Sequence, residues 1–177
     1  NGTSGYSGDG FAATLAQLES TDGVYVDSAG NVYVADHINN RIRKIDVSGI
    51  ISTFAGDGST TYNGEGIPAT TASLRIPIDI VKELSGNTYI IDRGHYRIRK
   101  VDPAGVISCL AGIGAFGYSG DGGPATNANI NLSQEIDVDG VGNIYFCDGA
   151  NRRVRRVSVS GIITTVAGNG TLGYSGD

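Results

Sequence analysis

Tyr118-Ser119-Gly120-Asp121 is one of four similar tetrads in this 177-residue chain. The others begin at residues 6, 62 and 174, so the tetrads recur every 56 residues, with no insertion or deletion. The second copy has Asn63 and Glu65 where the others have Ser and Asp. A fixed period of this length indicates a chain built from repeated units, each packing against its neighbours.

Each unit contains four short apolar segments that the sequence predicts to be β-strands. A Gly-Asn pair joins the first two segments and is typical of a tight hairpin, because both residue types tolerate a positive φ. The predicted strands are residues 23–27, 32–35, 41–45 and 50–54, then 79–82, 88–91, 97–101 and 106–110, then 135–138, 144–147, 153–157 and 162–166. No segment has helical periodicity, so the predicted fold class is all-β, with three four-stranded antiparallel blades of a β-propeller.

The third predicted strand of each unit differs from the other three. Charged and aliphatic residues alternate along it, as in residues 41–45, which predicts one solvated face and one buried face. The other strands are apolar on both faces, as expected where a neighbouring blade covers each face. We therefore expect the third strand to lie toward the rim, where its charges would protect a sheet edge from pairing with other chains.

The units resemble the NHL repeat. In the third unit the resemblance rests on residues 117–126, on Gly142-Asn143 followed by Tyr145, and on Asp148, Asn151, Arg153 and Arg155; residues 30–44 are the matching run of the first unit. It covers all three units and implies a β-propeller, which in this family most often has six blades. The second unit departs from the pattern at residues 94–96 and at Glu65, which puts loop details in question but not the fold.

The unbroken period predicts one propeller segment and its internal boundaries. Blade 1 is predicted to span residues 5–60, blade 2 residues 61–116 and blade 3 residues 117–172, with residues 173–177 starting a further repeat. Three blades leave one uncovered apolar face on the first blade and one on the third, and soluble monomers avoid large patches of this kind. A two-fold homodimer would bury both faces and give a six-bladed ring.

Two alternatives to a natural half-propeller stay open from the sequence. The chain could be a fragment of a longer propeller, or an engineered segment, because residues 1–9 are nearly repeated as residues 169–177. In a dimeric ring these two stretches would compete for one loop position. A trimer would give nine blades instead of six.

Composition argues against two classes of partner. The net charge is −5 and the pI is about 4.9, far from the basic character of nucleic-acid-binding proteins. No apolar run approaches the roughly 20 residues that span a bilayer. We expect neither nucleic acid nor membrane as a partner, and three Asn-x-Ser/Thr sequons, at Asn1, Asn131 and Asn169, are weak support for a secreted or extracytoplasmic location.

The long opening loops and the loops after the second strands are expected to share one face of the ring. Loops on a rigid scaffold are where binding residues concentrate, so a protein or small-molecule ligand is expected there. The candidate residues on this face are Asp9, His37, Glu65, Arg93, His95, Tyr96, Asp121 and Arg152. The Ser-Gly-Asp-Gly stretch offers oxygen ligands for Ca²⁺, but it has one carboxylate per loop and recurs in every unit, which favours a structural turn; no cofactor is expected.

An acidic residue ends the second strand of every unit, and two arginines follow in the third strand. The expected role of this set is a within-blade ion pair that fixes the intervening loop. The predicted structural ion-pair residues are Asp36, Arg41, Arg43, Asp92, Arg97, Asp148 and Arg153.

Catalysis is the competing functional class. The resemblance extends to propeller lyases and lactonases with a metal at the pore, and here Asp22, Asp79, Gln134 and Glu135 are expected near the channel mouth. His37 and His95 do not align between units, and Cys109 and Cys147 are predicted to be small buried hydrophobes. The sequence therefore favours a non-catalytic scaffold or binding module over a metal-dependent hydrolase or lyase.

Overall fold

The computed structural model describes residues 2–131 and 134–174, and it confirms the all-β prediction. Three antiparallel sheets follow one another along the chain, and each has its four main strands in sequence order. The first sheet contains β1 (Thr21–Val26), β2 (Val32–Asp36), β3 (Arg41–Ile45) and β4 (Ile51–Ala55); the second contains β5 (Ile67–Pro68), β6 (Pro77–Lys82), β7 (Thr88–Asp92), β8 (Arg97–Val101) and β9 (Val106–Ala111); the third contains β10 (Ile136–Val138), β11 (Ile144–Asp148), β12 (Arg153–Val157) and β13 (Ile163–Ala167). We call these sheets blades 1, 2 and 3.

Short 3₁₀ turns are the helical elements of the described chain. They span Ala13–Leu15, Ala69–Thr71, Arg93–His95, Ala125–Asn127 and Gly149–Asn151. None of the helices in residues 2–131 and 134–174 is long and apolar enough to cross a membrane.

The Gly-Asn hairpins form where the sequence predicts them. Gly30, Gly86 and Gly142 have φ values of 84°, 95° and 95°, a backbone conformation that glycine adopts at little cost. In the first hairpin the Asp27 carboxylate accepts hydrogen bonds from the backbone N–H groups of Ala29 and Asn31 at 3.0 and 2.9 Å. The turn is therefore fixed by both backbone and side-chain chemistry.

Two apolar cores lie between the blades and hold the segment together. Tyr33, Ala35, Ile42 and Ala55 of blade 1 pack against residues of blade 2 that include Ile80. In the same way, residues of blade 2 pack against blade 3; this core includes Ile78, Val81, Tyr89, Ile91, Ile98, Ala111, Ile136, Ile144, Phe146, Val157 and Ile163. We call the face toward the preceding blade the leading face and the face toward the next blade the trailing face.

The first strands of neighbouring blades approach closely, because one of them carries glycine at the contact. A Cβ on Gly23 of β1 would lie 2.3 Å from the Asp79 carboxylate and 2.7 Å from the Ile78 carbonyl oxygen of β6. No side chain fits at that distance. Gly23 therefore lets β1 and β6 lie against each other at the inner end of the blades.

The prediction of a solvated face on the third strand is wrong. Arg43, Arg99 and Arg155 are completely buried, although Arg41 and Lys44 are half-buried on the same strand type. The alternation of charged and aliphatic residues predicted solvent exposure of the arginines. They are buried instead because ion pairs, described below, compensate the desolvation of their guanidinium groups. The expected edge protection by the third strand is also wrong, since the fourth strand lies outside it in each sheet.

The opening loop of each unit covers that outer edge. Ile67–Pro68 pairs with β9, and single bridges join Ala12 to Ile50 and Pro124 to Ile162 at the equivalent places. These segments were predicted to be loops. Their pairing gives the fourth strand hydrogen-bond partners at the edge where it would otherwise be exposed.

Candidate functional site

A buried arginine lies at the centre of an ion-pair network in blade 1. Arg43 contacts Asp36 at 3.4 Å through Nη1 and donates through Nη2 to the Asp9 carboxylate and to the Ser7 carbonyl oxygen. Asp36 is fully buried as well, and it also accepts a hydrogen bond from the Glu19 backbone N–H at 2.8 Å. The network thus joins β2, β3 and the opening loop.

The other two blades repeat this network. Arg99 contacts Asp92 at 3.2 Å and Glu65 at 3.2 Å, and Arg155 contacts Asp148 at 3.1 Å and Asp121 at 2.7 Å. The sequence predicted that each strand-end aspartate pairs with both arginines of the third strand, and only the second arginine does so. Asp92 and Asp148 pair with the second arginine of the third strand and not with the first.

The first arginine of each third strand has a different partner. Arg41, Arg97 and Arg153 donate to backbone carbonyl oxygens, for example from Arg41 to Asn39 at 2.9 Å and to Asp57 at 2.6 Å. Their guanidinium groups also lie over tyrosine rings of the tetrads, at 3.8 Å for Arg41 over Tyr6. The predicted ion pairs of Arg41, Arg97 and Arg153 are therefore corrected to carbonyl hydrogen bonds and cation–π contacts.

The tetrad carboxylates belong to this network. Burial opposes ionisation of Asp9, but hydrogen bonds from Thr53 and Arg43 outweigh it and lower the pKa of the carboxyl group. The pKa of Asp121 is lowered for the same kind of reason, with Thr165, Tyr118 and Arg155 as partners. Asp9, Glu65 and Asp121 were candidate ligand residues, and the structure places all three against buried arginines instead.

Two candidate histidines have different surroundings on the loop face. His37 Nδ1 lies 2.6 Å from the Asp22 carboxylate, in a partly exposed position. His95 is buried, with Nδ1 2.9 Å from Asp92 and Nε2 3.0 Å from the Thr60 carbonyl oxygen. His95 therefore connects the buried network of blade 2 to the preceding loop and is not presented to a ligand.

Arg93, Tyr96 and Arg152 are the candidate residues that remain accessible on this face. Arg93 and Tyr96 line a cleft of about 340 Å³ together with Arg75, and Arg152 lines a separate cleft. Arg75 was not among the predicted site residues. The feature of the sequence that could have pointed to Arg75 is its difference from the equivalent residues of the other units, which are Glu19 and Asn131.

The four residues expected at the channel mouth come together in the structure. Asp22, Asp79, Gln134 and Glu135 line a cleft of about 490 Å³. Burial raises the pKa of Asp79, backbone hydrogen bonds from Ile80 and Ile136 oppose the increase, and the charge of Glu135 adds to it. Within residues 2–131 and 134–174, no three His, Cys, Asp or Glu side chains are grouped closely enough to hold a metal ion.

The trailing face of blade 3 is open in this chain. Tyr145, Cys147 and Val154 are half-buried there and line a groove of about 410 Å³. The equivalent residues of blade 2 are Tyr89, Ile91 and Ile98, which are 4%, 0% and 0% exposed. The same positions are therefore buried where a next blade exists and accessible where none is present in the chain.

The leading face of blade 1 is open in the same sense. Val24 is 64% exposed, whereas the equivalent Ile80 of blade 2 is 2% exposed. Val34 and Ile45 are half-buried, and their counterparts Ile90 and Val101 are fully buried or nearly so. The segment thus ends in two apolar faces.

Neither cysteine forms a disulfide. Both were predicted to be buried, and the structure shows both to be only half-buried. Burial raises the pKa of both thiols, and the charge of Glu65 near Cys109 and of Glu135 near Cys147 acts in the same direction. Cys147 differs from the prediction because it lies on the trailing face of blade 3, where the chain supplies no further blade.

The family model described as the Teneurin NHL domain matches residues 2–63 and 114–175, which is more than half of the chain. The chain belongs to the Teneurin NHL domain family. The NHL resemblance predicted from the repeats is therefore confirmed. The stretch between the two matched regions contains the departures of the second unit, including Glu65, Arg93 and Tyr96.

The curated relatives of this NHL segment are much longer proteins. Teneurin-m of Drosophila melanogaster is 28% identical over 90% of this chain, and Teneurin-4 of Mus musculus is 32% identical over 82% of it. The matched regions are 6% and 5% of those proteins. The chain thus corresponds to a small part of each relative.

Solved structures with the same fold are longer than this NHL segment as well. An auxiliary nutrient binding protein from Bacteroides ovatus matches with a TM-score of 0.64 at 20% identity, covering 86% of this chain and 39% of that one. A gluconolactonase from Xanthomonas campestris matches with a TM-score of 0.62 at 14% identity, covering 86% and 48%. At these identities the likeness shows the fold alone.

Proposed function

We propose that this chain is a non-catalytic half-propeller that pairs with a second copy to form a six-bladed ring, and that the ring is a binding scaffold. The observation that carries the proposal is the repeated pair of faces. Positions that are buried at both internal blade interfaces are accessible on the leading face of blade 1 and the trailing face of blade 3.

The two open faces are complementary to each other. The trailing positions of blade 3 hold Tyr145, Cys147 and Val154, close in type to Tyr33, Ala35 and Ile42, which blade 1 packs against blade 2. The leading positions of blade 1 hold Val24, Val34 and Ile45. They are similar in type to the residues on the leading face of blade 2 that pack against blade 1. Blade 3 of one copy can therefore pack on blade 1 of another as the internal blades pack.

Backbone hydrogen bonds support the same pairing. At the first internal interface Gly56 donates to the Ala69 carbonyl oxygen at 2.9 Å, and at the second Gly112 donates to Ala125 at 3.0 Å. The equivalent donor at the end of blade 3 is Gly168, and the equivalent acceptor on blade 1 is Ala13. A two-fold arrangement would form this bond twice, once at each new interface.

The length of one solved propeller supports the proposed number of blades. The matched part of this chain corresponds to 48% of the gluconolactonase propeller, so two copies give a ring of about the size of that single chain. A two-fold axis also satisfies both open faces with one type of contact, which a single added blade would not do.

The direct test is the solution mass of the purified chain, measured by light scattering or sedimentation across protein concentrations. We expect a mass twice that of the 18.3 kDa chain, with dissociation on dilution. A mass equal to one chain at every concentration would contradict self-association. Three times the chain mass would replace the six-bladed ring with a nine-bladed one.

A metal-dependent hydrolase or lyase at the pore is the second candidate function. The observation in its favour is the cleft lined by Asp22, Asp79, Gln134 and Glu135, in which burial raises the pKa of Asp79. Metal analysis of the purified chain tests it. Stoichiometric Ca²⁺ or Zn²⁺ that is lost in Asp79→Asn would favour the enzyme, and the absence of bound metal would favour the scaffold.

A further inference from the structure

The cleft on the loop face between blades 2 and 3 has a chemistry unlike the rest of this acidic chain. Its volume is about 340 Å³, and it is lined by Arg75, Ile76, Arg93, Gly94, Tyr96 and Asn131. We propose that this cleft binds the oxyanion group, a carboxylate or a phosphate, of a small-molecule ligand, with Arg75 and Arg93 as its charged contacts.

Most arginines of the chain recur as basic residues in every unit, whereas Arg75, Arg93 and Arg152 each occur in one unit only. Those that recur in every unit are engaged by the blade itself, as in the buried pairs of Arg43, Arg99 and Arg155. Arg75 and Arg93 occur in the second unit only, where the other units have Glu or Asn and His or Gly. An arginine required by the fold would be expected in every unit, so the repeat fold does not account for the presence of Arg75 and Arg93.

Both arginines are exposed. Among the ion pairs of residues 2–131 and 134–174, none involves Arg75 or Arg93. The chain nevertheless has five more acidic than basic side chains. Two exposed arginines that line one cleft of such a protein offer a local site for an anion, because each guanidinium can donate paired hydrogen bonds to two oxygens.

The backbone around the cleft is held by its own hydrogen bonds. The Arg75 N–H donates to Asp92 at 2.8 Å, and the Gly94 N–H donates to the Arg75 carbonyl oxygen at 2.7 Å. Ile76 and Tyr96 have φ values of 54° and 51°, and the left-handed conformation is costly for a β-branched residue such as Ile76. Local contacts therefore fix the two loops, while Arg75 and Arg93 themselves are exposed.

Gly94 determines how closely the two loops approach. A Cβ at this position would lie 2.4 Å from Cγ of Arg75 and 2.8 Å from its carbonyl oxygen. The equivalent position of the first unit holds Ile38, whose N–H donates to the Glu19 carbonyl oxygen at 3.2 Å, so the two loops approach more closely in the second unit. Gly94 thus brings the stem of Arg75 next to the turn that carries Arg93.

Binding of two anions by the intact chain tests the proposal. Isothermal titration with citrate and, separately, with inorganic phosphate would show which oxyanion the cleft prefers. We expect saturable binding of at least one of them, weakened by added NaCl because the contacts are charged and partly exposed. Citrate alone would indicate a carboxylate ligand and phosphate alone a phosphorylated one; no saturable binding of either would overturn the proposal.

Variants assign the binding to the cleft. Arg75→Gln and Arg93→Gln should each weaken binding by about tenfold, the effect of losing a hydrogen bond to a charged group, without changing the circular dichroism spectrum. Arg152→Gln is the matched control, since Arg152 is exposed on the same face but lines another cleft. Equal losses in Arg152→Gln and Arg75→Gln would refute the site. The cleft is formed within one chain, so this result does not depend on ring closure.

Discussion

Blade 2 and blade 3 have almost the same strands, yet one trailing face is buried and the other is open. Ile91 at the end of β7 is fully buried against blade 3, whereas Cys147 at the equivalent place in β11 is accessible. On the leading side, Val24 of blade 1 is exposed and Ile80 of blade 2 is not. The apolar character of these positions is thus a property of the repeat, and their burial depends on whether a neighbouring blade is present.

A second difference separates the inside of a blade from its faces. The central arginine of each network and the strand-end aspartate that pairs with it are fully buried in blades 1, 2 and 3 alike, whether or not both faces are covered. The ion pairs of each blade therefore form within that blade, whereas its apolar faces are buried only where a neighbouring blade is present. Stability should respond to polar substitutions equally in all blades and to face substitutions unequally.

The largest expected loss comes from Asp92→Ala, which removes the fully buried carboxylate partner of Arg99 and leaves that guanidinium with the half-exposed Glu65 as its carboxylate partner. We expect the free energy of unfolding to fall by about 3–5 kcal/mol, measured by urea denaturation. Asp148→Ala in blade 3 should cost about as much. Asp57→Ala, on the exposed surface, is the control and should cost less than about 1 kcal/mol. A much smaller loss for Asp148→Ala would show that the network depends on covered faces.

Aspartate substitutions on the two trailing faces should distinguish an effect on the stability of the single chain from an effect on self-association. Ile91→Asp puts a charge into the covered interface and should destabilise the chain by about 3 kcal/mol or more. Cys147→Asp occupies the equivalent open position and should cost the single chain much less, while abolishing the proposed dimer. Equal destabilisation of the single chain by both substitutions, in urea unfolding of dilute protein, would mean that the two faces do not differ as described.

The leading faces allow the same comparison with a smaller effect on folding. Val24→Lys should change the stability of the single chain by no more than about 0.5 kcal/mol, because the side chain is exposed, and should weaken self-association. Ile80→Lys should destabilise the chain strongly. Sedimentation of the Val24→Lys protein checks the first expectation, and a dimer as tight as that of the unmodified chain would contradict it.

A small pH effect should distinguish the two internal interfaces. Burial opposes ionisation of Asp27, but hydrogen bonds from Asn31 and the charge of Lys82 of blade 2 lower its pKa to about 2. The ionised form therefore stabilises the folded chain above pH of about 4, and this contribution, at most about 2 kcal/mol, is lost as the pH falls toward 2. In Asp27→Asn this part of the acid sensitivity should be absent; an unchanged pH profile of stability would argue against the assignment.

The repeat made most of the fold predictable. Four strands per unit, the Gly-Asn hairpins and the propeller class follow from the 56-residue period and the apolar segments. The burial of Arg43 was not predictable from the alternation of charged and aliphatic residues, because a charged residue is expected to be solvent-exposed unless its ion-pair partners are known. Those partners, Asp36 and Asp9, lie 7 and 34 residues away in sequence.

The candidate site was predicted less well than the fold. Channel-mouth residues such as Asp22 and Asp79 were placed together because equivalent strand ends meet at one edge. The tetrad residue Asp9 was assigned to a ligand face, since an exposed loop acid and the partner of a buried arginine look alike in sequence. Arg75 was not predicted because it precedes the first strand, outside the opening tetrads and the loops after the second strands from which the candidate residues were taken.

The accessibility of Cys147 tests ring closure most directly, because its thiol lies on the trailing face that the second copy would cover. Maleimide labelling would be followed by mass spectrometry at fixed pH over a dilution series, with urea-unfolded protein as the reference for intrinsic reactivity. We expect Cys147 to be protected at high protein concentration and labelled on dilution, while the rate at Cys109 stays constant. Labelling of Cys147 at one rate across the whole series would contradict the closed ring.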